Sequence, residues 1–277
     1  MFKAVCMMDL KRCMVEKRFV VIVLCSAFLL AASVAEYVIP YLMKSSQEER
    51  NAMTGAIDFL HYAMGFDVFK VIIALLFCGL YTGSFCRDKN SKYLRMILSR
   101  TDMITYVRAR FLINTIAVVT ASVLSCFIFA GGMMILGFPL VSEDAKGGLL
   151  GAAFYRKVVE RYPIVYLGMI GLQFGMIIAA FSSIGLLFSS WQSNTFVSIG
   201  LGGLSFFLML SISVTLINGT PFDVLNLISM NSVFPAGYES NPWTVFAWGM
   251  MYPLTIIVIC CMRFERRMKW RIEYGAV

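Results

Sequence analysis

The chain has little charge. Only 14% of its 277 residues are Asp, Glu, Lys or Arg, while 59% are hydrophobic and the mean hydropathy is +0.77. A soluble domain carries about 25% charged residues, enough to solvate its surface, so the composition excludes a soluble enzyme of this size. Histidine is almost missing: His61 is the one imidazole, read as an interfacial side chain in an outer loop. No HExxH pair and no metal-type Cys/His spacing occurs, so no metal site is expected. The 8 cysteines do not form a disulfide framework. Cys6 and Cys13 sit in a basic arm and Cys86 at the edge of a basic loop. Cys25, Cys78, Cys126, Cys260 and Cys261 lie in apolar runs, as small apolar fillers. No GxxxxGK[ST] phosphate loop is present. The chain is therefore expected to be no enzyme, with no catalytic residues and no cofactor of its own. Ionisable groups are also missing from the middle of every apolar run, which argues against an ion-coupled carrier. Lys70 lies near the outer end of its run, where its stem is expected to snorkel outward.

What the chain has instead is long apolar runs. A bilayer core is crossed by about 20 apolar residues in a helix. Six spans are expected, over 19–43, 68–85, 104–141, 162–188, 195–217 and 243–262. The third contains the apolar run 111–141, too long for one upright crossing, and Gly131-Gly132 is expected to loosen its outer part. The fourth and fifth share a stretch of 61 residues without Asp, Glu, Lys or Arg, divided by the polar turn 189–194. The first run continues past the small residues Ser33-Val34-Ala35, so it is read as a retained span and not a cleaved leader.

Basic residues set the orientation. Of the 24, seventeen fall in the N-terminal arm, the loop after the second span with Arg108 and Arg110, and the tail 263–277. The other seven are Lys44, Arg50, Lys70, Lys146, Arg156, Lys157 and Arg161. The richer side is cytoplasmic, and both termini lie there. The same rule accounts for most of the net charge of +8, so no nucleic-acid partner is needed. The fold expected is an all-α membrane protein, a single transmembrane domain over 1–277, in a multi-pass arrangement. Phe2, Cys6, Leu10 and Cys13/Met14 recur at helical steps, so 1–18 is expected to be an amphipathic interfacial helix, its pattern blurred by Asp9 and Val15. The outer loop 44–67 has a short helical pattern through Ile57, Leu60 and Tyr62, and 218–242 carries a proline-broken apolar cluster expected to dip back into the membrane. Gly79/Gly83, Gly171/Gly175 and Gly200/Gly202/Gly203 are spaced for close helix contact, within the chain or at a dimer seam. Asn114 and Gln173 are expected to bond helix to helix.

The loop 86–103 carries the most information. Tyr93, Leu94, Ile97 and Leu98 make a short apolar helical face, flanked by Arg87, Lys92, Arg95 and Arg100. A partner protein could grip such a helix, and anionic lipid heads are the alternative. This segment resembles the permease subunits of the ABC-2 family, the six-span membrane halves of bacterial ABC exporters. Asp88 takes the place of that family's acidic residue after span two, 93–98 that of its short helix, Leu98-Ser99-Arg100 that of its Leu-Ser-Arg-like element, and Arg110 that of its basic residue entering span three. Asp stands here for the commoner Glu, and Asn90-Ser91 for the Gly-Thr that often follows.

The resemblance implies a homodimer or heterodimer of such subunits in the bacterial cytoplasmic membrane, working with a separate ATP-binding subunit that holds ATP and Mg. The residues from Arg87 to Arg100 would couple to that ATPase, and Trp191, Gln192 and Asn194 in the second inner turn would add a lesser contact. Phe19, Leu24, Phe77 and Phe85 are candidates for a substrate path. The cargo expected is an amphipathic or hydrophobic molecule, above all a peptide toxin or antimicrobial, with exporters of phenol-soluble modulins as the narrower comparison. The alternative is a membrane-embedded structural or sensory partner with no transport role.

Overall fold

The computed structural model describes residues 2–44, 55–65, 67–91, 93–98, 101–141, 156–212 and 242–273. The described residues are helical throughout, with no strand: α1 (Phe2–Val15), α2 (Lys17–Lys44), α3 (Ala56–Gly65), α4 (Asp67–Tyr81), α5 (Ser84–Asn90), α6 (Tyr93–Leu98), α7 (Met103–Ile135), α8 (Arg156–Arg161), α9 (Pro163–Phe188), α10 (Thr195–Ile212) and α11 (Pro242–Glu273). Among the described residues, five stretches are long and apolar enough to cross a membrane: Lys17–Pro40, Phe69–Asn90, Met103–Ile135, Pro163–Phe188 and Thr195–Ile212. The protein is a multi-pass helical membrane protein. The run expected at 243–262 lies within the 32-residue α11. The re-entrant segment expected at 218–242 lies almost wholly outside the described residues, as do Lys146 and the last part of the fifth run.

α9 is the hub, packed on α7, α10 and α11. It starts with Pro163 in its first turn, where a missing N–H costs nothing. Against α7 the backbones nearly touch: a methyl at Gly175 would fall 2.8 Å from Val119 Cα, and one at Gly171 2.9 Å from Val123 Cα. These glycines therefore serve a seam inside one chain. In lipid, where burial gives helices no hydrophobic drive, such close approach supplies the dispersion contact that holds them. A polar chain crosses the same region. Thr82 Oγ1 and Ser182 Oγ lie 2.8 Å apart, and Ser182 Oγ donates to Asn114 Oδ1 at 2.8 Å. Gln173 departs from expectation: fully buried, its amide fills the notch left by Gly249 and makes no hydrogen bond among the described residues.

Three further expectations are corrected. Lys70 does not snorkel; it is 1% exposed, because it shares a helical stripe with Ile73, Ala74 and Phe77 and that stripe faces the core. α7 is not loosened at Gly131-Gly132 but runs through them, with Leu136 N–H bonding Gly132 O at 3.1 Å. It ends at Ile135, short of 141. Gly137 takes φ 89°, and Phe138 N–H bonds back to Met133 O, a left-handed glycine stop. At 33 residues α7 is about 50 Å long, well beyond a core of about 30 Å, so it projects past the apolar layer. The second run is a pair of helices. It breaks at Thr82-Gly83, where Gly83 presses against the Thr195 side chain at the start of α10.

The pattern at Ile57 and Leu60 does form a helix. α3 is buried from Ala56 to Leu60 and tucks under the end of α7. Its first-turn amides, which have no partner within the helix, are satisfied there: Ala56 N–H donates to Pro139 O and Ile57 N–H to Leu140 O, while Asp58 accepts from the preceding Gly55 N–H. His61 is bound in this layer, its Nε2 2.8 Å from the Tyr166 hydroxyl, and burial pushes its pKa down to about 4.

Candidate functional site

At the basic end of the bundle four segments meet around one guanidinium. Arg110 stands two turns into α7, behind Asp102, whose carboxylate caps the helix by accepting from Thr105 N–H at 3.3 Å. Only 4% of Arg110 is exposed. Its Nη2 donates to Asp88 on α5, and its Nη1 donates to the Tyr81 hydroxyl on α4 at 2.6 Å. Its Nε faces Asp9 on α1, with Oδ2 3.5 Å away. Tyr81 passes the contact on, donating to Asp9 at 3.3 Å, and Tyr106 donates to Asp88 at 3.0 Å. The guanidinium lies over both rings, 5.3 Å from the Tyr81 centroid and 4.9 Å from that of Tyr106. Asp9, Tyr81, Asp88 and Tyr106 are all buried.

The electrostatics explain why the parts stay together. One cation faces two carboxylates away from water, where an unpaired charge costs several kcal/mol. Two phenol donors stabilise the carboxylates, and the two ring faces add attraction for the guanidinium. Arg12, Glu16 and Arg87 stand around the rim. Between them is a cavity of about 20 Å³, room for a water molecule, lined also by Cys13 and Ser84. Ser84 Oγ is buried there without a hydrogen bond among the described residues. Burial and the nearby Glu16 push the Cys13 thiol up to about 11, so it stays protonated at neutral pH. The cluster contains no activated nucleophile. It ties α1, α4, α5 and α7 into one unit.

The segment read from sequence as a coupling helix is attached to this cluster directly. α5 carries Asp88, and α6 follows after Ser91. Within α6, Leu94 is buried, Tyr93 and Ile97 are half-buried, and Met96 is exposed, so the apolar face expected to greet a partner rests largely on the chain itself. The side chains of Arg95 and Leu98, and the residues Lys92 and Arg100, lie outside what is described. The turn 189–194 lies against α5. Asn90 Nδ2 donates to Ser193 O at 3.1 Å, and the Cys86 thiol points to Gln192 O at 3.6 Å. Asn194 caps α10, accepting from Phe196 N–H at 2.9 Å. Trp191 is 47% exposed, with the Arg267 guanidinium 5.6 Å from its ring. The structure thus brings the turn 189–194 against α5.

It does not bring together the four path candidates. Phe19, Phe77 and Phe85 are buried; Phe77 packs on Phe174 with centroids 6.3 Å apart and Phe85 on Phe264 at 5.0 Å, while Leu24 faces outward. The residues missed from sequence are Asp9, Tyr81 and Tyr106. A signal existed for the first: Cys6, Asp9, Leu10 and Cys13 form one helical face, so Asp9 sits inside the apolar stripe and not across it. No family model, curated protein or solved structure matches the chain.

Proposed function

We propose that this chain is the membrane subunit of an ATP-driven exporter in a bacterial cytoplasmic membrane, paired with a second such subunit and with a separate cytoplasmic ATPase. The observation that carries the reading is the Asp88–Arg110 pair. The resemblance to ABC-2 permeases rests on an acid after the second span and a base entering the third; in this chain those two residues form one buried ion pair next to the short helix α6. Force applied to α6 by an ATPase would pass through α5 and Asp88 into Arg110, and so along α7 to the α9 hub. Asp9 would carry the same motion to α1. With Phe77 and Phe85 packed inside the bundle, the cargo path is assigned to the surface between two copies, where α2 and α10 are the least enclosed spans. An apolar or amphipathic peptide fits such a lipid-flanked surface better than a polar solute.

The test is co-purification and ATPase activity. The chain alone hydrolyses no ATP, whereas in complex with a separate Walker-type subunit hydrolysis is stimulated by amphipathic helical peptides at micromolar levels. Replacing Arg95 and Arg100 by Glu weakens assembly or uncouples hydrolysis from export, because like charges in a docking groove cost several kcal/mol. A chain that binds no ATPase, or a complex indifferent to the peptides, overturns the proposal.

A further inference from the structure

α11 is exposed along one stripe for most of its length. Met251, Leu254, Val258 and Met262 lie on it, each about half exposed, as a lipid-facing helix requires. The same stripe continues into Arg266 and Lys269, with Arg263 on its flank, all exposed. The surface that meets acyl chains therefore turns basic within one turn. The change occurs at a level the protein marks independently. Trp191 and Trp270, each 47% exposed, hold Arg267 between their rings, at 5.6 and 4.9 Å from the guanidinium carbon. Half-exposed tryptophans at the end of an apolar band sit at headgroup depth. The neighbouring positions are occupied: Phe264 faces inward onto Phe85 and Phe111, and Glu265, which shares the stripe with Met262, is paired with Arg108 at 2.8 Å. Among the described residues the three outward cations have no such role.

We propose that this corner, with Arg263, Arg266 and Lys269 around the Trp191–Arg267–Trp270 sandwich, is a binding site for the phosphate headgroup of an anionic phospholipid. Charge complementarity and the continuity with the acyl-facing stripe select a lipid: the site presents cations where the same molecule's tails already have an apolar surface. A cluster of juxtamembrane cations attracts anionic lipid at about 1 kcal/mol per cation close to the surface. The proposal rests on the membrane placement of the bundle and not on its coupling to an ATPase.

Lipid-selective quenching tests it. The full chain carries 4 tryptophans, so Trp243→Phe and Trp248→Phe leave Trp191 and Trp270 as reporters. The protein is reconstituted into phosphatidylcholine vesicles containing equal mole fractions of brominated phosphatidylglycerol or brominated phosphatidylcholine. The anionic lipid is expected to occupy the site about fivefold more readily, one cation's worth of attraction, with the preference falling as salt rises. In the Arg263→Gln, Arg266→Gln, Lys269→Gln variant the two lipids should quench equally, with helicity by circular dichroism unchanged. Equal quenching in the parent protein, as a face reserved for a protein partner would give, overturns the proposal. So does a preference that survives the triple substitution.

Discussion

Two junctions in this bundle are built by opposite means. Where α7 crosses α9, contact is made by absence: Gly171 and Gly175 carry no side chain, and Val119 and Val123 of α7 come against their backbone. At the basic end, contact is made by charge, with Arg110 held between Asp88 and Asp9. The seam is a matter of shape, and a seam that close has one good register. The charge cluster fastens the short α5, with α6 after it, to the longer helices α1, α4 and α7. α5 is 7 residues and α6 only 6, far below the length at which an isolated helix is stable. Their order comes from tertiary contacts: Asp88 in the cluster, Phe85 against Phe264, Asn90 on Ser193 O and the buried Leu94.

Substitutions separate these two kinds of junction. The largest effect is expected for Arg110→Ala. It strands two buried carboxylates and should destabilise the protein by about 3–5 kcal/mol, read as a loss of thermal stability in detergent micelles; a neutral outcome would mean that the cluster is open to water. Gly175→Ala comes next. The added methyl meets backbone, which cannot swing away, and overpacking costs about 1–3 kcal/mol. If this variant melts like the parent, the seam is not held by close approach. Asp9→Asn is milder, about 1 kcal/mol, because Arg110 keeps Asp88. Its signature is local: α1 loosens, and Cys13, 7% exposed in the parent, becomes reactive to a thiol reagent while Cys78 stays protected. Equal protection of Cys13 in both proteins would show that α1 is docked by its apolar face alone. The smallest effect is Thr82→Val, about 0.6 kcal/mol, the mean worth of a hydrogen bond between membrane helices; a much larger loss would make the Thr82–Ser182–Asn114 chain a third junction.

The contrast also explains what could be read from the sequence. Spans are legible because apolar length is a property of single segments. The windows at Pro163–Phe188 and Thr195–Ile212 start where the polar turn and Pro163 place them. Helix ends set by local chemistry were legible in principle: Gly137, not Val141, stops α7 because it alone takes a positive φ there. For Lys70, position along the span suggests the outer end, but position around the helix decides: the steps to Ile73, Ala74 and Phe77 put it on the buried side. The site was half legible. Asp88 and Arg110 stand out through the ABC-2 resemblance, but their pairing joins residues 22 positions apart, with α6 between them. Tyr81 and Tyr106 were invisible, since an interfacial tyrosine and a buried one look alike in sequence. Asp9 looked like noise in an amphipathic pattern because a carboxylate on an apolar stripe makes sense only once Arg110 is opposite it.

The most direct test of the account is a double-mutant cycle between Asp88→Asn and Arg110→Gln, with unfolding followed in mixed micelles. If the two side chains form the buried link between the short inner helices and α7, each single variant is destabilised and the double variant loses far less than their sum, with a coupling energy of about 2 kcal/mol. Additive losses would show that the pair does not act as a unit, and would remove the proposed route of force from α6 into the bundle.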